Sequence, residues 1–294
     1  MASGTSEVRA PRRAGPAWRY FGDIRNFLIS PQLLLLQVAH PVVGAGVQQH
    51  SDFRAEPWQR LWRTVSSLGT VVYGGQAAAT AEAERLIGVH SAMKGTDDRG
   101  RRYHALNPAA YHWVHATLVR GGHDGHRIFG KGLSETETEA YYQEMRDVGR
   151  VWGLKDHHLP PDWAAFCAYY DAMVRDTLEL NRSVLDVLDE LGRPQKPPVR
   201  WIPALLWRPF AAVAAHYALL VTIGTLPPVL RERLGLTWTG KQERALRRFV
   251  RLVRVLIALV PPPLRIAGTL AIAYWNTHKP GTDPRARRPL GAAA

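Results

Sequence analysis

The chain contains a single cysteine, Cys167, among its 294 residues. One thiol excludes an intrachain disulfide and fits a reducing compartment. The neighbours of Cys167, in the run WAAFCAYYDAM, are mostly apolar, which indicates a buried, inert thiol rather than a nucleophile. The opening segment, MASGTSEVRAPRRAGPAWRY, lacks the apolar run of a secretory signal. We therefore expect a cytoplasmic protein.

Motifs of several common enzyme classes are absent as well. The chain has no Glu-x-x-His pair of a di-iron bundle, no His-Glu-x-x-His zinc motif and no Gly-x-Ser-x-Gly nucleophile elbow. It also has no phosphate-binding loop and no Gly-x-Gly-x-x-Gly fingerprint. Helix-turn-helix, zinc-finger and RNA-binding aromatic signatures are missing, so we expect no nucleic-acid partner.

Strand signals are scarce, and helical periodicity dominates. No alternation of apolar and polar residues persists long enough to predict a sheet, and Asn-Gly hairpin turns are absent. No composition shift or polar linker divides the middle of the chain. We predict an all-α fold with a single globular multi-helix domain over residues 17–277. Basic flexible tails are expected at residues 1–16 and 278–294.

Proline, asparagine and serine mark the expected helix boundaries. A first helix over 17–30 is expected to stop at Ser30-Pro31, with the next beginning there, and Pro41 predicts a kink or stop. After a turn at 51–57, Pro57 opens another helix.

Further along the chain, Asn107 with Pro108 predicts a capped helix start. Ser134 with Glu137 forms a capping box that opens a helix through about Arg150. The glycine-rich stretch 121–132 between them, GGHDGHRIFGKG, is predicted to be a mobile loop. Another helix is expected over 162–180.

Positive charge exceeds negative charge, giving a formal net charge of +13. Part of the excess lies in the tails, and much of the rest lies on 241–254, where KQERALRRFVRLVR has six basic residues and one acid. The neighbouring stretch 209–230 has no formal charge but contains a histidine and three prolines, so a buried or interfacial helix is expected rather than a spanning one. Peripheral contact with anionic membrane, on the inner face, is one interpretation of the basic run, and a solvated face is the other.

The stretch from Arg60 to His90 carries the strongest indication of chemistry. Two helical segments are separated by a break at Gly74-Gly75. On the first, Leu61, Val65, Leu68 and Val72 recur at core-facing spacing, while Arg60, Arg63 and Thr64 share the neighbouring side. On the second, His90 continues the stripe of Ala79, Ala83 and Leu86 to Met93.

An imidazole on an apolar stripe, reached from a helix with two guanidiniums, fits the axial ligand of a buried heme. The alternative is a core histidine whose second nitrogen bonds a carbonyl, with the arginines on a solvated face. His115, on a stripe with Tyr111 and Leu118, is a second candidate ligand, or else a histidine that bonds a neighbouring helix or a propionate. His40, before Pro41, is either beside the cofactor or in a tightly packed loop.

The run QVAHPVVGAGVQQHSDFRAEPWQRLWRT, the helix of His90 and the segment YHWVHATL resemble the MpaB and latex-clearing-protein family of heme b oxygenases. The resemblance extends from about Tyr20 to about Trp238. It implies that His90 binds the iron and that Arg60 and Thr64 match the distal arginine and threonine of the rubber oxygenases. Arg63 stands where those enzymes have lysine, and an arginine stays charged instead of shuttling protons.

The resemblance also implies a function. Family members cleave carbon–carbon double bonds of isoprenoid chains oxidatively, so heme b, molecular oxygen and a long apolar, olefinic substrate are expected. The alternatives are a non-catalytic heme carrier or sensor, or a helical protein of the membrane surface.

Overall fold

A computed structural model of the chain describes residues 9–198 and 203–278, and these residues form an almost entirely helical fold. The predicted all-α class is confirmed, and the one sheet among the described residues is an antiparallel hairpin of two three-residue strands. The thirteen α-helices and two strands of the described part are α1 (Pro16–Tyr20), α2 (Ile24–Ala39), α3 (Pro41–His50), α4 (Pro57–Tyr73), α5 (Gly75–Ser91), β1 (Lys94–Thr96), β2 (Arg102–His104), α6 (Pro108–Phe129), α7 (Glu135–Val151), α8 (Trp163–Asp176), α9 (Arg182–Gly192), α10 (Ala204–Thr225), α11 (Pro228–Arg233), α12 (Gly240–Ala258) and α13 (Pro262–His278).

Helix α2 runs through the middle of the fold and packs along α6, α10 and α9. The expected stop at Ser30-Pro31 is wrong, because α2 continues across Pro31. A proline inside a helix leaves the carbonyl four residues earlier without its N–H donor. Here the hydroxyl of Ser30 donates to that carbonyl, on Phe27, at 2.9 Å. The side chain before the proline thus replaces the missing backbone bond.

The predicted break at Pro41 is confirmed, since α2 ends at Ala39 and α3 leaves at an angle of 101°. The last carbonyls of α2 are satisfied from a distant part of the chain. The backbone N–H of Glu179 donates to the carbonyl of Ala39 at 2.9 Å, and the side-chain amide of Asn181 donates to that of Val38 at 2.7 Å. These bonds attach the segment before α9 to the bend.

Helices α4 and α5 form a hairpin whose turn lies at the predicted break, Gly74-Gly75. Gly75 has a φ of +77°, a conformation that a residue with a Cβ adopts only at a cost. Because the two helices pack against each other in opposite directions, the start of α4 and the end of α5 lie at the same end of the hairpin. That end carries the residues of the candidate site.

The predicted loop over 121–132 is wrong, because most of it is the second half of α6. Its glycines are used for close packing instead of for mobility. A Cβ on Gly121 would collide with Leu33 of α2, and one on Gly122 would collide with the hydroxyl of Tyr141 on α7. Because Gly121 and Gly122 have no side chains, α6 can approach α2 and α7 closely. This close packing offsets the low helix propensity of glycine.

The main core lies between α2, α5, α6, α7 and α8, and its largest fully buried side chains include Trp113, Tyr141, Tyr142 and Phe166. The indole N–H of Trp113 donates to the carbonyl of Leu36 at 2.9 Å, which fixes α6 against α2. The described part of the expected N-terminal tail also contacts the domain, since Arg12 pairs with Glu144 of α7 at 3.0 Å. The expected C-terminal tail lies outside the described residues, except for His278.

Helices α10 and α12 pack with parts of α2 and α6 around a smaller apolar cluster that includes Ile29, Phe129 and Leu220. Helix α13 turns by 90° from α12 and packs against α4. In the described parts of the chain, no single helix is long and apolar enough to cross a bilayer. Two bent pairs meet that criterion on length and composition, α2 with α3 and α12 with the part of α13 up to Tyr274.

The close approach at Gly122 generates a stability prediction. We expect Gly122→Ala to lower the free energy of unfolding by about 1–3 kcal/mol, because the added methyl group must displace the ring of Tyr141 in a packed core. Gly268→Ala is the matched control, since a Cβ there meets no atom within 4 Å and should stabilise α13 by up to about 1 kcal/mol. Urea denaturation measures both. Equal effects of the two variants would contradict the close packing of α6 on α7.

Candidate functional site

The hairpin of α4 and α5 brings Arg60 and His90 together. Arg60 lies in the first turn of α4, and His90 lies in the last turn of α5. They are near enough for the charge of Arg60 to lower the pKa of His90. The two residues predicted to form the centre of the site are therefore neighbours, although 30 positions separate them in the sequence.

His90 is a neutral imidazole with a free nitrogen. Its Nδ1 is buried and has no hydrogen-bond partner, and no described residue bonds its Nε2. The edge of the ring packs on Tyr111 of α6, with 5.6 Å between centroids. Burial, and then the charges of Arg60 and Arg85, lower the pKa of His90 to about 4. Near neutral pH, this imidazole has a lone pair available to a metal.

Arg60 is a partly buried cation with no ion-pair partner among the described residues. Burial lowers the pKa of its guanidinium, the neighbouring charge of Arg63 lowers it further, and Asp52 opposes both effects. No described acidic group lies within ion-pair distance of Arg60. A desolvated cation in this position favours an anion or a strong dipole as its partner.

Unlike Arg60, both Arg63 and Thr64 have hydrogen-bond partners for their side chains among the described residues. One terminal nitrogen of Arg63, Nη2, donates to both carboxylate oxygens of Asp52, at 3.0 and 3.1 Å, while its Nε is buried and has no partner. The hydroxyl of Thr64 donates to the carbonyl of Arg60 at 3.0 Å, and its side chain is exposed. Both residues lie on the first turns of α4 with Arg60, as predicted from their spacing.

A buried ion pair beside His90 escaped the sequence analysis. Glu82 is almost fully buried on α5, and its two carboxylate oxygens accept from Arg85 at 2.8 and 2.6 Å. Arg85 is also close enough to lower the pKa of His90. Opposite charges three residues apart are visible in the sequence, but that spacing is also typical of a solvated helix surface. Only the tertiary fold shows that the ion pair of Glu82 with Arg85 is buried.

Large apolar side chains are exposed around the same end of the hairpin. Leu61 was expected in the core, and that is wrong: 43% of it is exposed, as is 53% of Trp62. The reason is that the first two turns of α4 extend beyond the helices that bury Val72 at the other end. Trp58 and Ile87 are exposed nearby on the two helices. This surface provides apolar contacts for a hydrophobic molecule.

His115 lies deeper in the domain, between α6 and α7. It is fully buried, its Nε2–H donates to the carbonyl of Met145 at 2.7 Å, and its ring packs edge-on against Trp152. His115 is thus a histidine bonded to a neighbouring helix, which was the alternative to a ligand. Its Nδ1 is buried without a partner.

His40 lies at the bend between α2 and α3. It is buried, and burial together with the charge of Arg101 lowers its pKa to about 4. Its Nδ1 has no hydrogen-bond partner. The ring contacts of His90 include neither His40 nor His115, so the structure does not bring the three histidines together.

The donor set decides which kind of metal group fits. Across the described residues, no group of three or more His, Cys, Asp or Glu side chains is placed to hold an ion. A bare metal ion therefore lacks ligands here. A porphyrin supplies four nitrogens of its own and requires one axial donor, apolar walls and cations for its propionates. His90, the exposed apolar side chains and Arg60 fit these requirements.

Comparison with known proteins gives the family. Residues 18–255 match the family model described as "ER-bound oxygenase mpaB/B'/Rubber oxygenase, catalytic domain". Two mycobacterial proteins, "Uncharacterized protein Rv2237" of Mycobacterium tuberculosis and "Uncharacterized protein Mb2261" of Mycobacterium bovis, are each 25% identical over 232 residues, covering 78% of this chain and 87% of the relative. No solved structure matches.

Two buried histidines on α6 generate a prediction about pH. Burial, and then the neighbouring His115 and His158, lower the pKa of His112 to about 3, and burial lowers that of His115 to about 4. An unfolded chain, with histidine pKa near 6.5, binds these protons more readily than the folded protein. The free energy of unfolding should therefore be highest above about pH 6.5 and fall as the pH drops towards 4.

Denaturation of the wild type and His112→Gln at pH 7, 6, 5 and 4.5 measures the effect. The loss of stability between pH 6.5 and 4.5 should be smaller in the variant, by up to about 2 kcal/mol, because a buried histidine contributes at most about 1.4 kcal/mol per pH unit in this range. Parallel curves for the two proteins would contradict the burial of a neutral His112.

Proposed function

The chain belongs to the family of the MpaB/B' and rubber oxygenase catalytic domains, and we propose that it is a heme b-dependent oxygenase of apolar, olefinic substrates. In this proposal His90 binds the iron, and Arg60 provides positive charge beside it. The reaction class that we propose is oxidative cleavage of a carbon–carbon double bond by molecular oxygen.

One observation supports the cofactor more than any other. The uncharged His90, with no described partner on either nitrogen, lies beside the partly buried cation Arg60, which has no ion-pair partner among the described residues. Leaving either group unpartnered is unfavourable in the protein alone. His90 would hold the iron of a porphyrin through its free nitrogen, and Arg60 would pair with the propionates or stabilise negative charge that develops on oxygen during the reaction.

The residues around His90 hold it in position for this role. Tyr111 packs edge-on against the imidazole, and the ion pair of Glu82 with Arg85 lies on the same helix. The low pKa keeps His90 unprotonated over the physiological range, so no proton competes with the metal. When bound, heme supplies the redox chemistry that activates oxygen, which the side chains of this site cannot supply.

Two features of α4 bear on the chemistry. Arg63 pairs with Asp52 and stays protonated, so we assign it an electrostatic role and no proton transfer. The hydroxyl of Thr64 already donates to the backbone of α4, and it becomes available to a substrate or oxygen only by rotating away from the Arg60 carbonyl. Arg60 is therefore the residue of this cluster that we expect to stabilise negative charge during the reaction with oxygen.

The apolar side chains at the end of the hairpin support an apolar substrate. Trp58, Leu61, Trp62 and Ile87 are each more than a third exposed, which is unfavourable in water unless a hydrophobic molecule covers them. An isoprenoid chain offers methyl and methylene groups along its whole length and is suited to such a surface. We propose this substrate class and no particular compound.

The rival function is a heme carrier or sensor without turnover. Both functions predict heme binding, but only an oxygenase consumes oxygen in proportion to an added olefin. Oxygen uptake by the heme-loaded protein with an isoprenoid olefin, compared with its saturated analogue, separates the two. Uptake with the olefin alone supports the proposal, and a heme-loaded protein that consumes no oxygen contradicts it.

Arg60 and Arg63 provide a matched pair of variants. We expect Arg60→Gln to lower olefin turnover by about 10²–10³-fold, because a preorganised charge in a desolvated pocket contributes on this scale. The heme content should remain near that of the wild type. Arg63→Lys retains a cation opposite Asp52, and its turnover should stay within about threefold of the wild type. Olefin turnover and absorbance of bound heme measure the two effects.

A different combination of heme content and olefin turnover in Arg60→Gln would assign another role to Arg60. If Arg60→Gln loses heme and turnover in parallel, the guanidinium anchors the propionates and does not act on oxygen. Turnover that is unchanged by Arg60→Gln at full heme content would contradict any role for Arg60 in the reaction.

A further inference from the structure

Helices α10 and α12 lie side by side in opposite directions and extend together from one end of the domain. A Cβ on Gly224, near the end of α10, would lie 2.6 Å from Leu246, near the start of α12. Closer to the start of α10, Tyr217 stacks on Phe249 of α12, with 4.5 Å between ring centroids. The second half of α10 therefore packs on α12 between Leu246 and Phe249, and the antiparallel course of the two helices directs the first half of α10 along the same side of the domain as the second half of α12.

The outward face of α12 changes character along its length. Between residues 244 and 251, the exposed positions carry four arginines, here called the basic collar, at Arg244, Arg247, Arg248 and Arg251. In its second half, exposed positions on the same face carry Leu252, Val255, Leu256 and Leu259. The opposite face holds the buried Leu246, Val253 and Ile257. The helix is thus anchored along one side, and its other side is basic first and apolar afterwards.

Two further exposed side chains extend the apolar region. Leu264 follows the turn into α13, and Phe210 lies in the first half of α10, with 62% and 67% of their surfaces exposed. Leu259, between them in sequence, is 76% exposed. We call this surface the apolar tip, which consists of Phe210, Leu252, Val255, Leu256, Leu259 and Leu264. Six large apolar side chains that are each more than half exposed indicate a hydrophobic partner.

The charge next to the tip identifies that partner. Of the basic collar, only Arg247 has an acidic partner among the described residues, Glu243, and that is the only acid between residues 240 and 264. A second copy of this chain would bring the same positive charges to the contact. An anionic lipid surface supplies negative headgroups and, beneath them, hydrocarbon.

The dimensions agree with this partner. Arg251 and Leu259 are eight residues apart, and a helix rises about 1.5 Å per residue, so the collar and the end of the tip are separated by about 12 Å along α12. Interfacial helices bury their apolar side chains about 5–10 Å into the boundary between headgroups and acyl chains. Collar arginines at headgroup level would place the tip among the first methylene groups.

We propose that the apolar tip and the basic collar form a docking surface for an anionic lipid bilayer. The turn between α12 and α13 is the part that inserts into the bilayer. The proposal rests on exposed side chains and their charges, and it is independent of heme binding. For an enzyme of apolar substrates, it would bring the protein to the phase in which such molecules dissolve.

Vesicle flotation of the full chain tests the proposal with two variants and two matched controls. Vesicles of phosphatidylcholine alone, and of phosphatidylcholine with phosphatidylserine, are compared at about 0.05 M and about 0.5 M salt, since screening shortens with ionic strength. Leu256→Ser with Leu259→Ser removes part of the tip, and Arg248→Gln with Arg251→Gln removes half of the collar. The controls change exposed residues elsewhere, Leu180→Ser with Leu185→Ser and Lys94→Gln with Arg102→Gln.

We expect the wild type and both controls to float with anionic vesicles at low salt. Each arginine near an anionic surface contributes about fivefold in affinity, so the collar variant should bind about 25-fold more weakly and lose much of its salt dependence. The tip variant should lose binding at both salt concentrations. Soret absorbance and far-ultraviolet circular dichroism should be the same for all variants, which separates this test from that of the heme site.

Three results would overturn the proposal. The first is wild-type protein that stays with the aqueous phase on anionic vesicles at low salt. The second is equal loss of binding in the tip variant and in its leucine control. The third is a wild type that sediments as a dimer and becomes a monomer on Leu256→Ser with Leu259→Ser, because the tip would then be covered by a second copy.

Discussion

The placement of the partly buried Arg60 guanidinium beside the neutral imidazole of His90 is the constraint on which the site depends. The hairpin of α4 and α5 brings the two residues together, and its tight turn at Gly75 fixes which ends of the helices meet. A cation without an ion-pair partner and a histidine without a hydrogen-bond partner are both costly inside a protein. One bound group that offers a metal and negative charge satisfies both.

Local sequence chemistry predicted many helix boundaries because those boundaries depend on neighbouring residues. Asn107 caps α6, Ser134 with Glu137 forms the capping box of α7, and Pro57 opens α4. The errors arose where distant residues decide. The glycines of α6 are required by Leu33 and Tyr141, which lie on other helices. The continuation of α2 across Pro31 is an exception, because the hydroxyl that replaces the missing backbone donor belongs to the adjacent Ser30.

The distinction between local and long-range interactions also decides which features of the site could be predicted. Helical spacing placed Arg60, Arg63 and Thr64 on one part of α4, but it could not show that Arg63 pairs with Asp52 or that Glu82 and Arg85 are inside. The basic run on α12 was evident from composition, whereas the exposed leucines beyond it became visible only when the fold showed which face is buried. In both places the missing information was the direction in which a side chain points.

Absorbance titration with hemin tests the central claim most directly, when the wild type is compared with His90→Ala and with His216→Ala, an exposed control on α10. The wild type and the control should each bind one equivalent and develop the same Soret band. His90→Ala should bind hemin weakly and without that band, while its circular dichroism shows an intact helical fold. Stoichiometric binding by His90→Ala with an unchanged spectrum would contradict His90 as the iron ligand and would move that role to His115 or His40.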